Sequence, residues 1–145
     1  VFQKYNFTIP KVKREPNNFS FSGIKTSLLY KYKDMTQNEI DNNLNHLAAS
    51  YQEVILDTLF DKLSYALNIY NVKLVSIVGG VSANKRFRIK SNYFSEKNDI
   101  QIKFPDFKYC TDNAAMIAMV GYIKYKEKRF SNLSLVPSSN LNLCQ

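Results

Sequence analysis

The longest regular pattern in the chain runs from Glu39 to about Asn68. Apolar residues recur there at Leu44, Leu47, Ala48, Tyr51, Val54, Ile55, Leu59, Leu63, Ala66 and Leu67, and on to Tyr70. This 3.6-residue period predicts an amphipathic helix about 40 Å long at 1.5 Å per residue. Asp41, Glu53, Asp57 and Asp61 fall on its wet side, and Thr36 or Asn38 in the polar turn before it can cap it. Upstream, Phe19 to Gly23 alternates aromatic and small polar residues, which predicts a short half-buried strand ended by Gly23. A helix follows with Ile24, Leu28 and Leu29 inward. Downstream, Leu74 to Val78 has the length of a buried strand, Ala83 to Ser95 reads as a basic helix, and Ile100 to Phe104 alternates as a further strand closed by Pro105. Thr111 and Asp112 are good caps for a helix beginning at Asn113. Its first turns, Ala114 to Gly121, are small or apolar on every side, the mark of a buried helix. Strands alternating with helices define an α/β domain.

The flanks are simpler. Val1 to Asn18 is basic and broken by Pro10 and Pro16, and reads as a connecting arm with at most one short strand around Tyr5 to Ile9. The lobe itself occupies residues 19–130. Residues 131–145 form a polar, proline-containing strap expected to pack on the same lobe. The chain opens on Val1 and enters the arm directly, which reads as the interior of a longer protein.

Composition sharpens the picture in two respects. The 145 residues carry a formal net charge of +8, which favours anionic partners such as nucleic acid or nucleotides. The 2 cysteines, Cys110 and Cys144, are too few for a disulfide framework and have no metal-ligand spacing. No apolar run approaches the ~20 residues of a membrane span, and no signal peptide opens the chain. No membrane partner and a reducing, cytoplasmic location are therefore expected.

Candidate chemistry gathers where strands give way to helices, the edge at which open α/β sheets hold ligands. In KLVSIVGGVSANKRFR (Lys73 to Arg88), Gly79 and Gly80 let the backbone turn sharply, and Ser82 and Asn84 are helix-start residues. A strand end, a bare backbone and free helical N–H groups suit a phosphate; an ordinary βα turn fits the same stretch equally well. Asp112 is either a capping carboxylate or one aimed into a cleft, able to bind a metal. Lys25, beside Gly23, is a candidate anion ligand or a solvated lysine. Lys85, Arg86, Arg88 and Lys90 make the helix after the glycines basic, and this helix and the arm's lysines could meet a phosphate backbone by charge. The lone His46 reads as a surface or edge residue.

Three motifs in order, FSFSGIKT (Phe19 to Thr26), VGGVSANKRFR (Val78 to Arg88) and YCTDNAAMIA (Tyr109 to Ala118), closely resemble the C-terminal half of the tRNA threonylcarbamoyl-adenosine transferase family, whose members were long described as O-sialoglycoprotein endopeptidases. The resemblance runs from about Phe19 to the tail. It implies an actin- and Hsp70-like (ribonuclease H-like) ATPase fold of two α/β lobes, each a sheet flanked by helices, with this chain as the second lobe. It implies transfer of a threonylcarbamoyl group from threonylcarbamoyl-adenylate to the adenosine beside the anticodon. By the same resemblance Asn84 contacts the adenine nucleotide, Gly79 and Gly80 face its phosphates with Ser82 beside them, and Asp112 ligates one divalent metal, iron before zinc or magnesium. The implied partners are tRNA, a paralogous partner subunit and a small ATPase subunit. A hard carboxylate suits such a metal, and an Asn amide can read ribose or adenine edges.

One departure matters. The family's other metal ligands are two histidines spaced HxxxH in the first lobe, and His46 matches nothing in that motif. The chain therefore carries half an active site. A stand-alone nucleotide- or tRNA-binding module derived from the lobe is the alternative reading. The older peptidase label finds no HExxH and no Ser-His-Asp or Cys-His arrangement here. Assayed alone with tRNA and threonylcarbamoyl-adenylate, the chain is expected to yield no modified tRNA above a no-enzyme control; product above that control would refute the half-site reading.

Overall fold

The computed structural model describes residues 4–8 and 18–139. Its elements follow in the order α1 (Phe21–Lys33), α2 (Gln37–Ile69), β1 (Leu74–Ser76), a 3₁₀ turn (Gly80–Ala83), α3 (Lys85–Asn98), β2 (Gln101–Lys103), a second 3₁₀ turn (Phe107–Tyr109) and α4 (Ala114–Lys126). Strands β1 and β2 pair in parallel, with Val75 opposite Ile102, and α3 makes the crossover between them. The α/β class stands, carried by a two-stranded parallel sheet within a helix-rich chain.

The expected strand at Phe19 to Gly23 is instead the start of α1, which begins at Phe21. Five residues of alternation are too few to separate a strand from a helix start, and helix wins because it buries Ile24 completely against α2. Helix α2 runs 33 residues. Thr36 caps it through a full capping box: Thr36 Oγ1 accepts from Glu39 N–H at 3.4 Å while the Glu39 carboxylate accepts from Thr36 N–H at 2.8 Å. The bond from Thr36 N–H, then one that Thr36 Oγ1 donates to Glu39 Oε2 at 2.8 Å, hold the Glu39 carboxyl below its ordinary value.

Helix α2 carries two buried faces rather than one stripe. Leu47 and Val54 join Ile24 and Phe7 in one cluster. Leu56 and Phe60 point to the other side and pack with Phe87 of α3, flanked by Ile77 and Phe104 just past the ends of β1 and β2. Leu44 and Tyr70, expected inside, are exposed. The arm segment 4–8 contains no strand, and Ile9 lies outside the described residues. It is pinned instead by the buried Ser50, whose Oγ accepts from the N–H groups of Lys4 and Tyr5 at 3.0 and 3.1 Å and donates to the His46 carbonyl at 2.7 Å. His46 itself is half-buried.

Helix α4 corrects the expected burial. Ile117 is 76% exposed and Met119 59%, and every residue of the helix is open to solvent. A helix apolar all round needs neighbours on several sides, and the described residues do not supply them. Residues 131–139 also run exposed, with Leu133, Leu135 and Val136 in solvent; 140–145 lie outside the described residues. No helix among the described residues is long and apolar enough to cross a membrane.

Because Leu56 is the buried hinge of the α2–α3 cluster, Leu56→Ala is expected to cost about 2–5 kcal/mol in urea unfolding. Exposed Leu44→Ala should stay within about 0.5 kcal/mol. Equal losses at both positions would contradict the two-faced packing.

Candidate functional site at the glycine turn

Strand β1 ends in a turn that only glycine adopts without strain. Gly79 has φ of +88°, a conformation that an L side chain rarely takes. A Cβ built on Gly79 or Gly80 would meet no atom within 4 Å, so the space beside this backbone is open. The chain then tightens into the 3₁₀ turn, where Ser82 N–H donates to the Gly79 carbonyl at 2.9 Å. Ser82 is fully buried, and its hydroxyl has no hydrogen-bond partner among the described residues.

Asn84, not Ser82, caps α3. Its Oδ1 accepts from Phe87 N–H at 2.9 Å, which leaves Nδ2 to point away from the helix. There Nδ2 donates to Gln52 Oε1 on α2 at 2.9 Å. The amide is thus oriented from two sides and keeps one N–H and one lone pair free. Gln52 belongs to no motif, so nothing in the linear chain marked it.

The basic helix proves to be mostly committed. Glu53 takes Arg86 in a fork, Nε to Oε1 at 2.6 Å and Nη2 to Oε2 at 3.2 Å, and also accepts from Lys90 Nζ at 2.9 Å. Lys90 further pairs with Asp57. The Arg86 hydrogen bond, then the Lys90 bond, holds the Glu53 carboxyl below its ordinary value against the burial that opposes it. Arg88 turns inward to Ser82 and Pro105 carbonyls. Lys85 remains exposed. Lys25 lies away from the turn, lining a groove of about 480 Å³ between α1 and α2 with Leu28, Tyr32 and Tyr51.

Asp112 is not a cap. Asn113 takes that role for α4, its Oδ1 accepting from Met116 N–H at 3.2 Å. The Asp112 side chain is exposed, and among the described residues no hydrogen bond or ion pair occupies it. No group of three or more His, Cys, Asp or Glu side chains able to hold a metal occurs among the described residues. Asp112 therefore offers one hard oxygen ligand, not a complete metal site.

A glycine turn leading from a parallel strand into a capped helix, with an exposed carboxylate before the next helix, defines a protein of the α/β class. The sequence pattern of the TsaD family, tRNA N6-adenosine threonylcarbamoyltransferase, matches residues 1–119, and the chain belongs to that family. A tRNA N6-adenosine threonylcarbamoyltransferase of Thermosipho africanus is 38% identical over 140 residues, 97% of this chain and 42% of the relative. The Kosmotoga olearia protein of that name is 42% identical over 127 residues, covering 86% of this chain and 37% of its own length. One from Bacillus cereus is 37% identical over 143 residues. The chain spans about two fifths of the length of these relatives, 42% for the first.

The Glu53 carboxyl titrates lower in the folded chain than in the unfolded one. Its contribution is complete above the unfolded value, about 4.3, and is lost as pH falls through the lower folded value. Between pH 6 and 3 the urea midpoint of the native chain should fall more steeply than that of Glu53→Gln, which is already less stable at pH 7. Parallel slopes would remove Glu53 as the acid-sensitive tie between α2 and α3.

Proposed function

We propose that this chain forms the nucleotide-facing part of a tRNA N6-adenosine threonylcarbamoyltransferase, the second lobe of an actin- and Hsp70-like ATPase (ribonuclease H-like) fold. Gly79 and Gly80 present bare backbone to the phosphates of threonylcarbamoyl-adenylate or another adenine nucleotide, with Ser82 lining the turn. The free N–H and lone pair of Asn84 read the ribose or adenine edge. Asp112 contributes one ligand to a divalent metal, iron in preference to zinc or magnesium, and the remaining ligands come from the longer protein. Such a metal, when bound, polarises oxygen atoms of the substrate.

The reaction is an acyl transfer. The N6 amine of the adenosine beside the anticodon attacks the carbamoyl carbon, a C–N bond forms, the bond from that carbon to the phosphate oxygen breaks, and AMP departs with the bonding pair while N6 loses a proton. The chain's share is to hold the adenylate still at the glycine turn, where alignment of reacting atoms lowers the barrier most. Exposed Lys85 and the arm's lysines can meet tRNA phosphates, whereas Arg86 and Arg88 do so only by giving up existing partners. The complete enzyme works in the cytoplasm with a paralogous partner subunit and a small ATPase subunit.

The observation that carries this reading is the orientation of the Asn84 amide by Gln52 beside an open glycine turn, within a region matched by the family pattern. Asn84→Asp tests it, because the carboxylate keeps the cap to Phe87 while losing the amide donor. In the full-length protein this variant should bind adenine nucleotide at least about tenfold more weakly, the scale of one lost hydrogen bond of ~1.4 kcal/mol. Asp112→Asn should abolish tRNA modification with nucleotide affinity retained. Undiminished nucleotide binding by Asn84→Asp overturns the assignment of the turn. Full modification activity in both variants favours the binding-module alternative.

A further inference from the structure

The guanidinium of Arg88 sits between the two loops that carry the candidate site. Its Nε donates to the Ser82 carbonyl at 2.8 Å, and its Nη2 donates to the Pro105 carbonyl at 2.7 Å and lies 3.4 Å from Cys110 Sγ. It lies over two rings, 4.0 Å from the Phe107 centroid and 4.9 Å from that of Phe104. Ser82 precedes Asn84 by two positions, and the buried Cys110 precedes Asp112 by two. The Arg88 backbone N–H also donates to the Asn84 carbonyl at 3.2 Å. One planar cation is thus bonded to the glycine turn, to the exit of β2 and to the loop that ends at Asp112.

We propose that Arg88 is a positioning residue that holds the glycine turn and the Asp112 loop at one fixed separation. The proposal rests on the reading of those loops as the nucleotide and metal sides of a single site. A guanidinium suits the task because its donors lie in one rigid plane and can serve carbonyls from different segments while its faces stack on rings. An ammonium carries its three donors on one atom and has no plane to lay on the rings. The inward aim of Arg88 also separates it from Lys85 on the same helix, which is exposed and available to a phosphate backbone.

The test is made in the full-length protein with Arg88→Lys and Arg88→Ala. Amide hydrogen exchange over residues 79–84 and 106–112 reads the clasp without any catalysis. Steady-state kinetics with threonylcarbamoyl-adenylate and tRNA read its consequence. In Arg88→Lys, exchange should rise in both segments together, KM for the adenylate should stay within about twofold, and kcat should fall about 10- to 100-fold, the scale of a misalignment of about 1 Å. Methylguanidinium should restore part of kcat, and the slow exchange of both segments, in Arg88→Ala. Exchange that rises in only one segment, or in neither, overturns the proposal, as does loosening of both with unchanged kcat. A rise in KM alone assigns Arg88 to ligand binding and overturns it as well. Failure of the nucleotide reading is separable, because it shows in Asn84→Asp affinity, while the paired exchange response of Arg88→Lys judges the clasp with no nucleotide present.

Discussion

Helix α2 is buried along two faces, and that double burial is the constraint from which the site follows. At 100° per residue, Leu47 and Val54 share one side while Leu56 and Phe60 turn to the other. The first side takes α1 and the arm segment; the second takes α3 and the edge of the sheet. Between these apolar faces runs a polar strip in which Gln52, Glu53 and Asp57 all look toward α3. The hydrophobic contacts set the distance between the helices, and at that distance the strip can reach Asn84, Arg86 and Lys90. Hydrophobic packing does the gross work here, and the polar contacts set direction.

The same arrangement explains why a strongly basic helix is not a free basic surface. Glu53 is only 14% exposed along its side chain, so its fork with Arg86 and its bond to Lys90 are worth more than an open surface pair. Two cations held by one shielded carboxylate stiffen the first turns of α3, and Asn84 stands at the start of those turns. Arg88 does for the far side of the turn what Gln52 does for the near side. The candidate site is therefore framed from below by α2 and from beside by the exit of β2.

Apolar surface is also left open at the other end of the chain. Helix α4 has no polar face along its first two turns, yet stands in solvent, as does Val78 at 74% exposure beside the glycine turn. Val78 and the apolar residues of α4 are thus exposed surface that the described residues leave uncovered. The matched relatives are more than twice as long as the region they share with this chain. The exposed carboxylate of Asp112 lies at the foot of α4.

The linear chain settled those features that depend on local chemistry. The 3.6-residue period of α2, a cap in the turn at Thr36 or Asn38, the sharp glycine turn and the strand segments around 74–78 and 100–104 were legible, because periodicity, capping and backbone sterics act over a few residues. The candidate residues Gly79, Gly80, Asn84 and Asp112 were legible for the same reason, as motifs at strand-to-helix junctions. What only the tertiary structure decided were relations across long sequence separations. Phe21 to Gly23 became helix because Ile24 found a site on α2, and α4 stayed exposed because burial needs neighbours as well as apolar residues. Gln52 is 32 residues from the amide it orients, and no pattern along the chain joins them. Arg88 looked like one more surface cation, and its environment of two rings and two carbonyls exists only once α3 lies against β2. Charge along a sequence reports what a side chain carries; packing decides which partners reach it before solvent does.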